Sequence, residues 1–509
     1  MTKPAIEQDE SLPENYLGAL DIGSNSFHFV FARVIDSNLQ ILHSEKYQVK
    51  LASGLDSKNH LDQNAIDRAI STLKDIAPLT SKLTPNNFRV VATYTMRKAT
   101  NAHQLLAEAA QVFPFDIEVI SGHEEARLIY QGVAHHTSPN VQRIVIDIGG
   151  GSTECVLGKD FDTKYLTSLN IGCVSFYSQF FANGELTQAA FKQAITQAEL
   201  EAEVHAKRFQ RIGWQQTLGT SGTIKAIYNL INANNELPLP ITVKQLHKLK
   251  DKLIKLGHVD AIDWPNLKEN RRKILAPGLA ILIGIMEMLK IKQLTYCEYS
   301  LREGVLFEQF ESLSFQDVRQ RTINSLSSRF NIDLEQAGQV KTLAKSMFNQ
   351  VRDSWKLNAI PYERLLLWSA QLHEIGFDIN TSAYHRHGKY ILLNADLPGF
   401  NVEQQQALAY LVENQRKKAQ VPDDSLWYVL KSKSIVRCAI ILRLAILLNQ
   451  QRQLTTSPAF EIHAQGKEIE LTFEQGWLEE KAIIRADLEN ERQHIAALGY
   501  QLQIKSLMR

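Results

Sequence analysis

The chain is poor in cysteine, and its cysteines form no motif. Cys155, Cys173, Cys297 and Cys438 are widely spaced, with no CxxC pair. This excludes a zinc ribbon or a disulfide framework and fits reduced thiols. Long apolar runs are also missing. The strongest, Ile274 to Leu289, is broken by Pro277, Gly278 and Glu287. It is too short to span a bilayer and reads as a buried core helix. Neither charge sign dominates. The formal net charge is +1, so attraction to a polyanion must come from local basic patches. Low-complexity tracts are absent. Residues 1–15 are polar and acidic and lack the basic start and apolar stretch of a signal peptide, so they read as a frayed tail. The expectation is a cytoplasmic protein with no membrane segment and no nucleic-acid polymer as partner. At 509 residues, 44% hydrophobic and 22% charged, the composition is ordinary globular. The length predicts roughly three or four domains.

One pattern occurs twice. Asp21-Ile22-Gly23-Ser24-Asn25-Ser26 returns as Asp147-Ile148-Gly149-Gly150-Gly151-Ser152, each between apolar runs. Apolar run, Asp, Gly/Ser turn and apolar run predict strand, tight turn and strand. Such turns aim N–H groups and hydroxyls at an anion, and the Asp at each strand end can hold a hydrated divalent metal. Two facing hairpins would clamp a phosphate chain, which points to phosphoryl chemistry between two related lobes.

Residues 16–127 alternate strand-like and helix-like runs: Ala65 to Ile76 helical, Arg89 to Thr93 strand, Ala102 to Val112 helical, Ile117 to Ile120 strand. This predicts a first α/β lobe. Residues 128–312 repeat the theme as a second lobe, with helical spacing over Gln188 to Phe209. Residues 313–450 change to helical apolar spacing, over Leu334 to Val351, Glu363 to Leu372, Val402 to Glu413 and Ser434 to Leu448. Residues 451–509 predict a small α+β end, with strands in Phe460 to Phe473 and helices over Gly476 to Arg485 and Glu489 to Ala497.

Several residues carry candidate chemistry. Glu124 and Glu125 follow a strand and open a helix, so they point about 100° apart, one able to face a cleft as general base while the other caps or pairs. The plainer reading is two carboxylates complementing a helix dipole. Glu154 faces Asp147 across the second hairpin, where two carboxylates suit Mg²⁺. Arg97 follows a buried strand and can fork onto phosphate oxygens or form a surface salt bridge. Gly219-Thr220-Ser221-Gly222-Thr223 is a third Gly/hydroxyl turn, at a helix start that suits an anion. In the helical half, His373-Glu374 and His385-Arg386-His387 suggest metal spacing, but Glu374 stands where a metal phosphohydrolase site needs Asp. Arg271-Arg272-Lys273, Arg416-Lys417-Lys418, and Lys431 with Lys433 and Arg437 read as solvated faces unless several share one groove.

Together the motifs resemble the exopolyphosphatase/guanosine pentaphosphate phosphohydrolase family. The match runs from about Tyr16 to near the C-terminus through DIGSNSFHFVFARV, TYTMRKATNA, ISGHEEARLIYQGV, VIDIGGGSTE, IGCVSFY, GTSGTIKA, APGLAIL, SLREGVL, LHEIGFDIN and NADLPGF. The helical C-terminal half, HRHGKYIL and GGGSTE look closer to the long bacterial exopolyphosphatase branch. The resemblance implies duplicated actin-like (ribonuclease H-like) α/β domains, an HD-like helical domain without its ligands, and a homodimer. It implies Mg²⁺, with K⁺ as a candidate activator. It implies Glu125 as base with Glu124 as runner-up, Asp147 and Glu154 as metal ligands, and Arg97, Ser24, Asn25, Gly150, Gly151 and Ser152 on phosphate. The reading of the turns themselves adds Asp21 to the metal set and Ser26, Gly149, Thr220, Ser221, Gly222 and Thr223 to the phosphate set. The chain departs at Cys297-Glu298-Tyr299-Ser300, where the family carries small, glycine-containing residues.

The reading so reached is a Mg²⁺-assisted exopolyphosphatase that releases orthophosphate from the end of polyphosphate. The alternative is removal of the 5′ γ-phosphate of guanosine pentaphosphate (pppGpp), or both activities. A kinase of the same superfamily and a non-hydrolysing sensor are rivals that a phosphate-release assay separates.

Overall fold

The computed structural model describes residues 16–506 except 36–37, 139, 234–238, 315–317, 396, 398, 425–426, 428, 451 and 453–459. The expected tail at 1–15 and part of the NADLPGF motif lie outside the described residues. The chain forms two compact units, residues 1–315 and 316–509.

The first unit holds two sheets. Strands β1 (Tyr16–Ile22), β2 (Phe27–Ile35), β3 (Asn38–Tyr47), β4 (Phe88–Ala92) and β5 (Ile117–Val119) are ordered β3-β2-β1-β4-β5. Strands β6 (Gln142–Ile148), β7 (Thr153–Lys159), β8 (Asp162–Leu169), β9 (Gln216–Thr220), β10 (Ile241–Thr242) and β11 (Gln293–Tyr296) are ordered β10-β11-β9-β6-β7-β8. In the first sheet β1, β2 and β3 form an antiparallel meander, and β4 and β5 add in parallel beyond β1. The second sheet repeats this with β6, β7, β8, then β9 and β11, and β10 adds an antiparallel edge. The duplicated hairpin is therefore the visible part of a duplicated sheet.

Two helices join the sheets. A linking helix, Gly122–Ala134, runs from the first sheet to the second, and a return helix, Leu301–Ser314, follows the second sheet. The inner faces of both sheets (Leu17, Ala19, Val91; Val145, Val156, Leu218) share one core with Leu128 and Val133 of the linking helix and Val305 and Leu306 of the return helix. The expected boundary at 127/128 thus falls inside a helix. Separate cores cover the outer faces. The broken apolar stretch forms helix Arg272–Met288, buried from Ile274 to Met286. Among the described residues no helix is long and apolar enough to cross a membrane.

The two helices touch backbone to backbone where they cross. A β-carbon on Gly132 would lie 2.1 Å from the Ser300 carbonyl oxygen, and one on Gly304 would lie 1.8 Å from that of Leu128. Only glycine permits that approach.

In the second unit, helices Leu334–Val351, Ile360–Gln371, Tyr384–Asn394, Val402–Glu413 and Ser432–Leu448 precede a sheet of β12 (Phe460–Gln465), β13 (Glu468–Phe473) and β14 (Gln501–Ser506). The sequence reading missed β14, which pairs in parallel with β13 across helix Ala482–Ala497. Helices and sheet share one core, from Ile323 to Leu502, so the expected boundary at 450/451 does not separate two cores.

Candidate active site

Each duplicated hairpin closes with the same bond. Gly23 N donates to Ser26 O at 3.2 Å, and Gly149 N donates to Ser152 O at 2.9 Å. The register places His28 opposite Asp21 and Glu154 opposite Asp147. Opposed residues in antiparallel strands share a face. The first sheet therefore presents Asp21, His28 and Lys46 in a row, and the second presents Thr220, Asp147, Glu154 and Ser168. In the second row the hydroxyls serve the acids. Thr220 Oγ1 donates to Asp147 Oδ2, and Ser168 Oγ donates to Glu154 Oε1 at 2.8 Å.

The turns face one another. A β-carbon on Gly150 would stand 3.0 Å from Ser24 Cβ, and one on Gly151 would land 2.1 Å from the Tyr94 ring. Ser24 Oγ accepts from Thr95 Oγ1 at 2.9 Å, and the Ser24 and Asn25 carbonyls accept from Ala52 N and Lys50 N at 2.8 and 2.9 Å. On the other side, Cys173 N and Val174 N donate to the Gly149 and Gly150 carbonyls at 3.0 and 2.8 Å. The third turn joins them. Ser221, at φ 77°, donates through Oγ to Ile148 O at 3.0 Å, Thr223 Oγ1 contacts Cys173 Sγ, and Gly222 lies under the Arg271 guanidinium. A serine held in the left-handed region is strained and marks a constrained site.

The linking helix begins beside these turns. Ser121 is extended and its side chain accepts from Glu124 N at 3.1 Å, an N-cap that stops β5 from running on. Glu125 then accepts from Arg97 Nη1 at 2.8 Å, and the same nitrogen donates to Ile120 O at 2.9 Å. Arg97 is thus an internal partner of Glu125, and the surface salt bridge is excluded. Glu124 is not at the cleft. Its carboxylate takes both Nε and Nη2 of Arg127 at 2.8 Å and is buried, which removes it as runner-up base.

Burial raises the Glu125 carboxyl above its ordinary range, Arg97 pulls it back, and Asp147 adds repulsion. Burial raises Asp147, opposed by the hydroxyls of Thr220 and Ser300. Glu154 is raised well above its ordinary range, by burial and then by Glu125 and Asp147. Asp21 is pushed to about 7 by burial and Glu125, against Arg302 and Lys46. Four carboxylates thus crowd one place. Asp21 Oδ1 is buried without a hydrogen-bond partner. A hard divalent cation binds oxygen donors and would relieve that repulsion. The donor set fits Mg²⁺, although among the described residues no three ligands stand preassembled.

His28 and Lys46 escaped the sequence reading, and Arg271 and Ser300, named there only in a solvated face and in a departing segment, also stand at this place. His28, lowered to about 2 by burial and the nearby Arg302, Lys46 and Arg271, is neutral. Burial and Arg271 lower Lys46 to about 8, opposed by Asp21. Burial lowers Arg271. Ser300 Oγ donates to Asp147 Oδ2 at 2.7 Å, so the segment that departs from the family pattern is part of the site. The repeat held one signal: His28 stands seven residues after Asp21, as Glu154 does after Asp147. Three of the helical-half candidates are engaged internally, while His385 is buried with Nδ1 unpartnered. His373 Nδ1 lies 2.8 Å from Ala370 O, Glu374 meets Arg452 at 2.5 Å, and Arg437 is buried against Tyr500 and Trp355.

The chain that carries this acid row, its hydroxyl turns and the helix-borne glutamate matches the sequence model of the Ppx/GppA phosphatase family over residues 30–313, and its domain III over 318–492. The chain belongs to the Ppx/GppA phosphatase family. It is 36% identical to a guanosine-5′-triphosphate,3′-diphosphate pyrophosphatase of Pseudoalteromonas translucida, over 96% of this chain and 98% of that one. The Aeromonas hydrophila protein of that name is 35% identical, at the same coverage. Among solved structures, the Aquifex aeolicus family member is 25% identical, covering 59% of this chain and 99% of that one at TM-score 0.52. An exopolyphosphatase from Cytophaga hutchinsonii, 21% identical over 58% and 98% at TM-score 0.54, shares the fold. As a Ppx/GppA member the chain is a hydrolase. The named full-length relatives run against the exopolyphosphatase branch expected from HRHGKYIL and GGGSTE.

Proposed function

We propose that this protein removes the 5′ γ-phosphate of guanosine pentaphosphate, releasing orthophosphate and the tetraphosphate. The carrying observation is the end-to-end likeness to relatives named for that substrate. The charge layout supports it. Lys46, Arg271 and Arg302 sit close enough to shift the ionisation of His28 beside the acid row, a compact set suited to a short phosphate cluster. The long basic track a polymer would need loses Arg437, which is buried in the second unit.

The Gly149–Ser152 and Ser24–Ser26 turns would hold the terminal phosphoryl group through N–H groups and hydroxyls. Glu125, with its raised affinity for a proton and its orientation fixed by Arg97, takes a proton from water as the water oxygen attacks phosphorus in line. The β–γ bridging oxygen leaves with the bonding electrons. Arg97 and the turn N–H groups counter the charge that spreads over the phosphoryl oxygens. Asp147, Glu154 and Asp21 would hold Mg²⁺, which supplies Lewis-acid stabilisation of those oxygens.

The test compares phosphate release from pppGpp and from long-chain polyphosphate with Mg²⁺. The reading expects a higher kcat/KM for pppGpp, and a preference for polyphosphate overturns it. Glu125→Gln should lower kcat by about 10²–10⁴ while the protein stays folded.

A further inference from the structure

The carboxylate next to the proposed base anchors a chain of ion pairs that the reaction scheme does not use. Glu124 of the linking helix takes Arg127 in a fork at 2.8 Å. Arg127 Nη2 reaches Glu308 of the return helix at 2.5 Å. Glu308 Oε2 accepts from Arg89 Nη1 of β4 at 2.6 Å. Arg89 in turn forks onto Glu118 of β5 at 3.0 and 3.1 Å. Five charged side chains on four elements thus form one path, in which Glu308 bonds both arginines.

Glu308 is held well ionised. Burial opposes its charge, but Arg127 and Arg89 overcome this and bring it to about 2. Buried ion pairs stabilise little over an apolar core, but removing one partner leaves the others exposed to the full cost of burial. Glu308 is therefore ill suited to replacement by a neutral group, and the geometry around it is stiff.

Its location gives that stiffness a use. The linking helix delivers Glu125 at its first turn. The return helix begins next to Ser300, which bonds Asp147, and carries Arg302, which acts on Asp21, Asp147 and His28. The two helices meet backbone to backbone at Gly132 and Gly304 and share an apolar core through Leu128, Val133, Val305 and Leu306, none of which is a directional polar contact. Arg127 precedes Leu128 and Glu308 lies one turn after Gly304, so their ion pair flanks that crossing and, through Arg89, ties both helices to β4. We propose that Glu308 is a positioning residue that locks the linking helix to the return helix, so that Glu125 and the Ser300–Arg302 corner keep their distance through turnover. This rests on Glu125 as base.

The test is steady-state kinetics of the full chain with pppGpp and Mg²⁺. Glu308→Gln should lower kcat at least tenfold with KM within twofold, because binding groups remain while the base loses its placement. Glu308→Asp keeps the charge and should give an intermediate kcat with the same split. In a Glu125→Gln background, Glu308→Gln should add little further loss, since both act through one group. A wild-type kcat in Glu308→Asp or in folded Glu308→Gln overturns the proposal. So does a fully multiplicative double variant, or a drop matched by lost folded protein. If Glu125→Gln itself retains turnover, the base assignment has failed instead, and the two failures are distinct.

Discussion

Asp21 combines an acidic side chain, a buried unpartnered oxygen and a carboxyl raised to about 7. The sign follows from linkage. An aspartate ionises near 3.9 when unfolded, so the fold carries no penalty from this group below about pH 4, a growing one from about 4 to 7, and all of it above. The shift corresponds to at most about 4 kcal/mol. Asp21→Asn should therefore raise the metal-free Tm at pH 8 and change it little at pH 4, read by calorimetry. Mg²⁺ should raise the wild-type Tm at pH 8 and raise that of Asp21→Asn less; equal increments would remove Asp21 from the metal site. Asp21, Asp147 and Glu154 were legible because the repeat places acids at strand ends. His28 and Lys46 were not, because their role arises from strand register, and Arg271 was read as a solvated face because its neighbours lie far away in sequence. Glu124 and Glu125 were legible as one paired and one cleft-facing carboxylate, but which was which follows only from their partners, Arg127 and Arg97.

At the level of elements, the two turns and the short helix Tyr94–Lys98 depend on absent side chains. A methyl on Gly151 would come within 2.1 Å of the Tyr94 ring, so Gly151→Ala must part the turn from that ring. We expect kcat/KM to fall more than tenfold with little change in Tm, and Tyr94→Ala to restore part of the loss in the double variant. Unchanged kcat/KM in Gly151→Ala would show that the close approach is dispensable. The hairpins themselves were readable, since Asp, a Gly/Ser turn and flanking apolar runs are local signals. Strand β3 and strand β8 were harder. Their exposed faces carry polar residues such as Glu45 and Lys164, and only pairing with β2 and β7 holds them as strands. The end of the chain failed likewise: β14 is fixed by β13, beyond the reach of any window on the sequence.

For the whole molecule, the division into two units has a thermodynamic consequence. One core lies wholly within residues 323–502, and the cores of the first unit end at Leu306. The change of texture near 313 was visible in the sequence, because α/β alternation gives way to helical spacing there. The shared core between the two sheets was not, since it is assembled from strands and helices spread over residues 17–306. Chains with separate cores need not unfold in one step. Calorimetry should resolve two transitions. Asp21→Asn at pH 8 should move only one of them, because Asp21 lies among residues 1–315 and its charge acts on groups of that unit. A single cooperative transition that shifts as a whole would show instead that the units unfold as one, and limited proteolysis near residue 315 would then yield no stable fragment.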